Sequence, residues 1–231
     1  MSAPEAPKTT AHARRMDTKT LTALAMFTAL AYVVMYLSKW LPQVAGFLQF
    51  ELKETVICIG GFLYGPVAAA MISILVPLIE EITVGDTGVI GLIMNIFATC
   101  SFCCTASYIY KRNHTQKGAV LALSAAVVAL TVVMLLWNYL ITPLYMTAFT
   151  RAEIAAMLPT LFLPFNLVKG GMNMATTLLL YKPIVTAMRK AGLVPPSKST
   201  QEKKFNAGFL LFSLALLATF VTFALVLAGV I

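Results

Sequence analysis

Charges divide this chain into long apolar runs: 20–38, 55–79, 87–110, 118–150, 154–181 (broken once, by Lys169) and 205–231. A helix needs about 20 apolar residues to cross a bilayer, and most of these runs are that long or longer. Across all 231 residues, 59% are hydrophobic and only 11% are charged, which leaves too little polar surface for a soluble domain. The expectation is an all-α, polytopic membrane helix bundle.

The basic residues assign the ends of these helices to sides. Arg14, Arg15 and Lys19 precede the first run, Lys111, Arg112 and Lys117 follow the third, and Lys182, Arg189, Lys190, Lys198, Lys203 and Lys204 follow the fifth. All three clusters are expected in the cytoplasm. The net charge of +8 therefore reflects membrane orientation, and no nucleic-acid partner is expected.

Between Lys19 and Lys111 the chain must then cross an even number of times, yet only three runs are visible. The stretch Gly60, Gly61, Phe62, Leu63, Tyr64, Gly65, Pro66 supplies the missing break, since Gly and Pro end one helix and start another. Short and long spans are expected at about 51–64 and 66–84. The organisation becomes a disordered cytoplasmic tail (1–19), a six-helix membrane domain (20–190), a cytoplasmic linker (191–204) and an additional helix (205–231). Glu51, Glu54, Glu80, Glu81, Asp86 and Glu153 fall outside or at the outer mouth, opposite the basic clusters. A basic stretch before the first run resembles a signal peptide, but the apolar core is too long and no A-x-A-like site follows, so an uncleaved helix is expected.

Lys169 is the exceptional residue. A charge at that depth costs about 3 kcal/mol on insertion scales and normally faces a cavity or a partner. Asn166, Lys169 and Asn173 recur at i, i+3 and i+7, one face of a helix. Asn95, Asn138 and the loop residues Glu51, Lys53 and Glu54 are expected at the same depth on the outer side. Buried amides need partners, so these groups should converge on one another or on a ligand. Tyr139, Tyr145 and Phe165 nearby suggest stacking on a flat ring. One lysine among acids argues against a highly anionic ligand.

Other chemistries find little support. Cys58, Cys100, Cys103 and Cys104 all lie in apolar runs without flanking His or acidic residues, and read as packing residues rather than a metal site. His12 and His114 lie in cytoplasmic segments, and Glu80 and Glu81 are adjacent rather than one turn apart, so no catalytic constellation forms. The chain is not expected to be an enzyme or to carry a cofactor.

Four blocks together resemble the riboflavin-specific substrate-binding subunit (S component) of energy-coupling-factor transporters. They are Phe50 to Glu54 followed by Gly60 to Pro66; Asp86 to Gly91 with Met94 and Asn95; Trp137, Asn138 and Tyr139 with Pro143, Leu144 and Tyr145; and Leu163 to Gly170. The resemblance covers about residues 20–190. It implies six helices with both termini cytoplasmic, and flavin capture from outside by Glu51, Lys53, Glu54, Thr55, Met94, Asn95, Asn138, Tyr139, Tyr145, Phe165, Asn166 and Lys169. The family's first loop carries aspartates and a proline where this chain has Glu51, Glu54 and Val56, and the family pattern lacks the helix at 205–231.

No G-x-x-x-x-G-K-[ST] motif occurs, so ATP-driven work needs other subunits. Ala25 and Ala29, with Thr22 on the same face, form a small-xxx-small pattern that allows close helix approach. The resemblance makes this the docking face for the transmembrane T subunit, which works with two cytoplasmic ATPase subunits in a bacterial plasma membrane. An S subunit for another vitamin, such as thiamine or pantothenate, and a non-transport adaptor bundle stay open as alternatives.

Overall fold

The computed structural model describes residues 17–85, 88–146, 148–192 and 207–231. The expected tail, apart from its last three residues, nearly all of the expected linker, and Asp86 and Thr87 lie outside the described residues.

The first helix, α1 (Thr18–Ser38), leads into a two-stranded antiparallel hairpin, β1 (Gln43–Val44) and β2 (Leu48–Gln49), which pairs Gln43 with Gln49 and Val44 with Leu48. Helix α2 (Lys53–Tyr64) is separated from α3 (Pro66–Thr83) by Gly65 alone. Gly65 sits at φ +94, which a side chain would strain, and Pro66 opens α3 with a fixed φ and no orphan N–H. The break expected from the Gly/Pro stretch is thus present. Next come α4 (Gly88–Arg112) and α5 (Gln116–Leu140), the latter capped by the Thr115 hydroxyl, which accepts from Gly118 N.

After α5 the chain turns through α6 (Thr142–Tyr145) into α7 (Arg151–Met157), where Thr150 and Glu153 form a capping box. A π-helical turn, Leu158–Phe162, joins α7 to α8 (Leu163–Lys190). Pro159 and Pro164 bracket that turn, and neither can donate to an α-helical ladder, which is a local cause for the wider winding. α8 continues past Lys182 and Pro183, well beyond the apolar run. The last helix is α9 (Ala207–Leu227).

Six of these helical stretches are long and apolar enough to cross a membrane, α9 among them; α2 is not. Twelve residues reach only about 18 Å, short of the roughly 30 Å hydrocarbon layer. α2 is instead the axis of the bundle: Lys53 to Phe62 are buried without interruption, surrounded by α1, α3, α4 and α8. Segment 39–52, which carries the hairpin, connects α1 to the buried start of α2. This segment is also tied down, since Leu52 N donates to the Ser38 hydroxyl and Ser38 in turn donates to Val34 O.

The main core joins Phe27 of α1, Ile57 and Ile59 of α2, Ile72 of α3, Phe102 of α4 and Leu123 and Leu130 of α5. Phe62 stacks on Tyr110 at one end of the bundle, 4.1 Å between centroids, with Tyr181 edge-on. The hairpin marks the opposite end.

Candidate functional site

The hairpin end holds a cavity of about 320 Å³, inside the range usual for small-molecule sites. Its wall is drawn from five places: segment 39–52, the end of α3, the first half of α4, the second half of α5, and the start of α8. Seven of the expected residues line it, namely Glu51, Met94, Asn95, Asn138, Phe165, Asn166 and Lys169.

Its floor is an ion cluster. Lys169 Nζ lies 2.9 Å from Glu51 Oε2 and 3.5 Å from Glu54 Oε1. Lys53 Nζ bridges Glu51 Oε1 at 3.1 Å and Glu80 Oε2 at 2.6 Å, and Lys39 Nζ approaches Glu80 Oε1 at 3.9 Å. Three ammonium groups face three carboxylates, so the cluster is neutral when all are ionised. Among the described residues neither oxygen of Glu54 has a hydrogen-bond partner, although its carboxylate is buried. Lys169 is the member of the cluster on α8 that faces the cavity, being both a lining residue and slightly exposed.

Asn173, one turn deeper on α8, holds the floor to α2. Its Nδ2 donates to Glu51 O at 2.7 Å and Lys169 O at 3.1 Å, while its Oδ1 accepts from Thr55 N at 3.1 Å and the Thr55 hydroxyl at 3.0 Å. The amides above it are fixed by their own helices. Asn166 Nδ2 donates to Phe162 O, and Asn138 Nδ2 to Met134 O. Asn138 Oδ1 also accepts from Thr142, whereas no side-chain bond among the described residues engages Asn166 Oδ1.

The structure departs from the sequence expectation in two places. Lys53, Glu54 and Thr55 are not part of a loop over the cavity. They form the first turn of α2, wholly buried, with Lys53 and Glu54 inside the ion cluster of the floor, because this short helix starts deep inside the bundle. Tyr139 and Tyr145 are not brought to the cavity either, and are 42% and 39% exposed. Asn138 points inward, so Tyr139, about 100° further round the helix, faces out. The aromatic walls are the expected Phe165 and, in place of the tyrosines, Phe47. Phe165 packs on Phe50 at 5.0 Å between centroids, and Phe47 sits 6.4 Å from Phe162.

Lys39, Gln43, Phe47, Gln49 and Glu80 line the cavity without having been expected there. Glu80 had a readable signal: an ionisable residue at the end of an apolar run demands a partner. The hairpin residues had none, since their position depends on a turn with no apolar periodicity. Thr22, Ala25 and Ala29 are exposed on the outer face of α1, while Ala23, Leu24, Phe27 and Ala31 face the core. Among the described residues no group of His, Cys, Asp or Glu could hold a metal ion.

A family model for the substrate-specific component of ECF transporters matches residues 19–181. The riboflavin transporter RibU of Staphylococcus aureus is 28% identical over 178 residues, covering 74% of this chain and 93% of that protein. The riboflavin transporter FmnP of Bacillus subtilis is 26% identical over 187 residues, covering 76% and 98%. A solved structure of the S component of a bacterial ECF transporter superposes with a TM-score of 0.62 at 24% identity, covering 75% of this chain and 99% of that one, and so has the same fold.

Proposed function

Because this chain belongs to the family of ECF transporter substrate-specific components, we propose that it captures riboflavin in the cavity at its hairpin end, as the binding subunit of a vitamin uptake transporter. It is a multi-pass membrane protein and not an enzyme. The riboflavin reading is supported by two relatives named as riboflavin transporters, each matched over most of its length.

The observation that carries the reading is the pairing of a charge-neutral polar floor with aromatic walls in one cavity. Riboflavin is an uncharged ligand with a flat ring system and a polyol tail. Phe165 and Phe47 offer faces for the ring, and Asn95, Asn166 and Lys169 offer hydrogen bonds to its edge or to the tail. Lys169, shared between Glu51 and Glu54, can turn one N–H toward a ligand without losing both carboxylates.

The hairpin end then faces the outside and the basic ends of α4 and α8 face the cytoplasm, together with the N-terminus. Thr22, Ala25 and Ala29 present a smooth patch to which a transmembrane T subunit docks, carrying two ATPase subunits on the cytoplasmic side.

Titrating riboflavin and following the quenching of its fluorescence tests the site. Removing one partner of a buried polar contact costs about 1–3 kcal/mol, more for a charge. Asn166→Ala and Lys169→Ala should each weaken binding about tenfold or more, since 1.4 kcal/mol is a factor of ten. Unchanged affinity in both folded variants would refute the site. Tight binding of thiamine or pantothenate in place of riboflavin would move the chain to another vitamin.

A further inference from the structure

Helix α9 lies beyond the part of the chain that the family model matches. The family match ends at residue 181, and the compared S component is covered almost completely by three quarters of this chain. What α9 does must be read from what it touches.

It touches α8 through a narrow stripe. Ser213 and Ala224 are its buried residues, and a methyl group built on Gly171 of α8 would run into the ring of Phe220. The glycine is a notch that seats this ring. One turn further on, Ala224 enters an apolar cluster with Val44 and Phe50 of the hairpin segment and Phe165, Val168 and Met172 of α8. Phe220, Leu227 and Leu48 pack against the same cluster. Phe165 of this cluster and Leu48 against it also line the cavity. The wall between cavity and lipid is therefore layered, with hairpin and α8 side chains inside and α9 outside.

Solvation does not require that outer layer, because lipid tails are as apolar as leucine. A packed helix adds fixed neighbours where fluid chains would otherwise be, and close packing resists displacement of the side chains beneath it. We propose that α9 is a built-in brace for this wall of the cavity and that Phe220 is a positioning residue which slows ligand release. The inference rests on the cavity being the riboflavin site. In this proposal the hairpin settles on Phe165 once the ligand is seated and release reverses that step, which with α9 seated also disturbs the cluster that Phe220 and Ala224 complete. No described residue of α9 lines the cavity, so α9 acts through this wall and not on the ligand directly.

The test uses the full chain loaded with radiolabelled riboflavin and chased with unlabelled riboflavin. Phe220→Ala should release label about tenfold faster with little change in association, as is usual when affinity is tuned through dissociation. Val221→Ala, on the lipid side of the same helix, should release at the rate of the unmodified chain. Phe220→Leu, which refills the notch, should recover most of the slow release. If Phe220→Ala does not fold, Leu227→Ala replaces it and should act in the same direction. Release at the unmodified rate in the folded variant overturns the proposal, and so does a lower melting temperature without ligand that leaves release unchanged. Failure of the unmodified chain to bind riboflavin would instead overturn the flavin reading, and the brace with it.

Discussion

Lys53 Nζ and Glu80 Oε2 meet at 2.6 Å, joining the first turn of α2 to the last turn of α3 in a place where Lys53 has no solvent contact. The two residues are 27 positions apart, and Gly65 and Pro66 allow them to face each other by folding α2 and α3 into an antiparallel pair. The floor of the cavity is thus a product of the α2–α3 turn.

Replacing Lys53 with Met should be severely destabilising. It strands one oxygen of Glu51 and leaves Glu80 only the more distant Lys39, and breaking a buried pair from one side typically costs about 3–5 kcal/mol. The double variant Lys53→Met/Glu80→Gln should recover part of that loss, because the stranded charge is gone. Thermal unfolding of the detergent-solubilised proteins measures both, and strict additivity of the two single changes would count against a direct pairing.

Asn173→Ala removes three hydrogen bonds that fasten α8 to Glu51 and Thr55. Each stranded buried group costs about 1–3 kcal/mol, so the melting temperature should fall. Riboflavin affinity should fall too, although Asn173 is not among the cavity-lining residues, because Lys169 and Glu51 would lose their common anchor. A variant with normal melting and normal affinity would contradict this role.

Ala25→Leu and Ala29→Trp should leave riboflavin binding by the isolated protein intact and abolish uptake by the assembled transporter. Both positions lie on the exposed face of α1, remote from the cavity lining. Bulk there would hold apart helices that must touch. Uptake assays paired with titration of the purified variants separate the two effects, and loss of binding in isolation would count against the face as a docking surface.

Single cysteines in a cysteine-free background test the orientation. Position 46 in the hairpin should react with impermeant reagents applied to intact cells, and position 114, between α4 and α5, should not. Labelling at 114 from outside would invert the topology.

The break at Gly65–Pro66 was legible in the sequence because charge parity demanded it and because only Gly and Pro make such a turn so cheaply. Lys169 announced itself in the same way, as a charge with no reason to sit in an apolar run. The carboxylates that answer it were visible too, but the neutral floor they form with Lys39 and Lys53 was not. That floor depends on helix pairing across 27 to 118 residues of sequence, which no local pattern reports. Of the aromatic walls, Phe165 was legible and Phe47 was not, for a related reason. Proximity in sequence placed Tyr139 beside Asn138, whereas the helical turn sends them to different faces, and Phe47 reaches the cavity only through a hairpin turn whose Ala45 and Gly46 both have positive φ.

The matched charges of the floor also bear on the energetics of transport. An elementary charge moved through the full membrane potential does work of about 2.3 kcal/mol per 100 mV. With Lys39, Lys53 and Lys169 opposed to Glu51, Glu54 and Glu80, the ionised cluster carries no net charge. An uncharged ligand adds none. However far the site travels or tilts across the electric field during uptake, the loaded and empty forms do equal electrical work. The vitamin's passage then draws nothing from the membrane potential and neither gains nor loses by its sign.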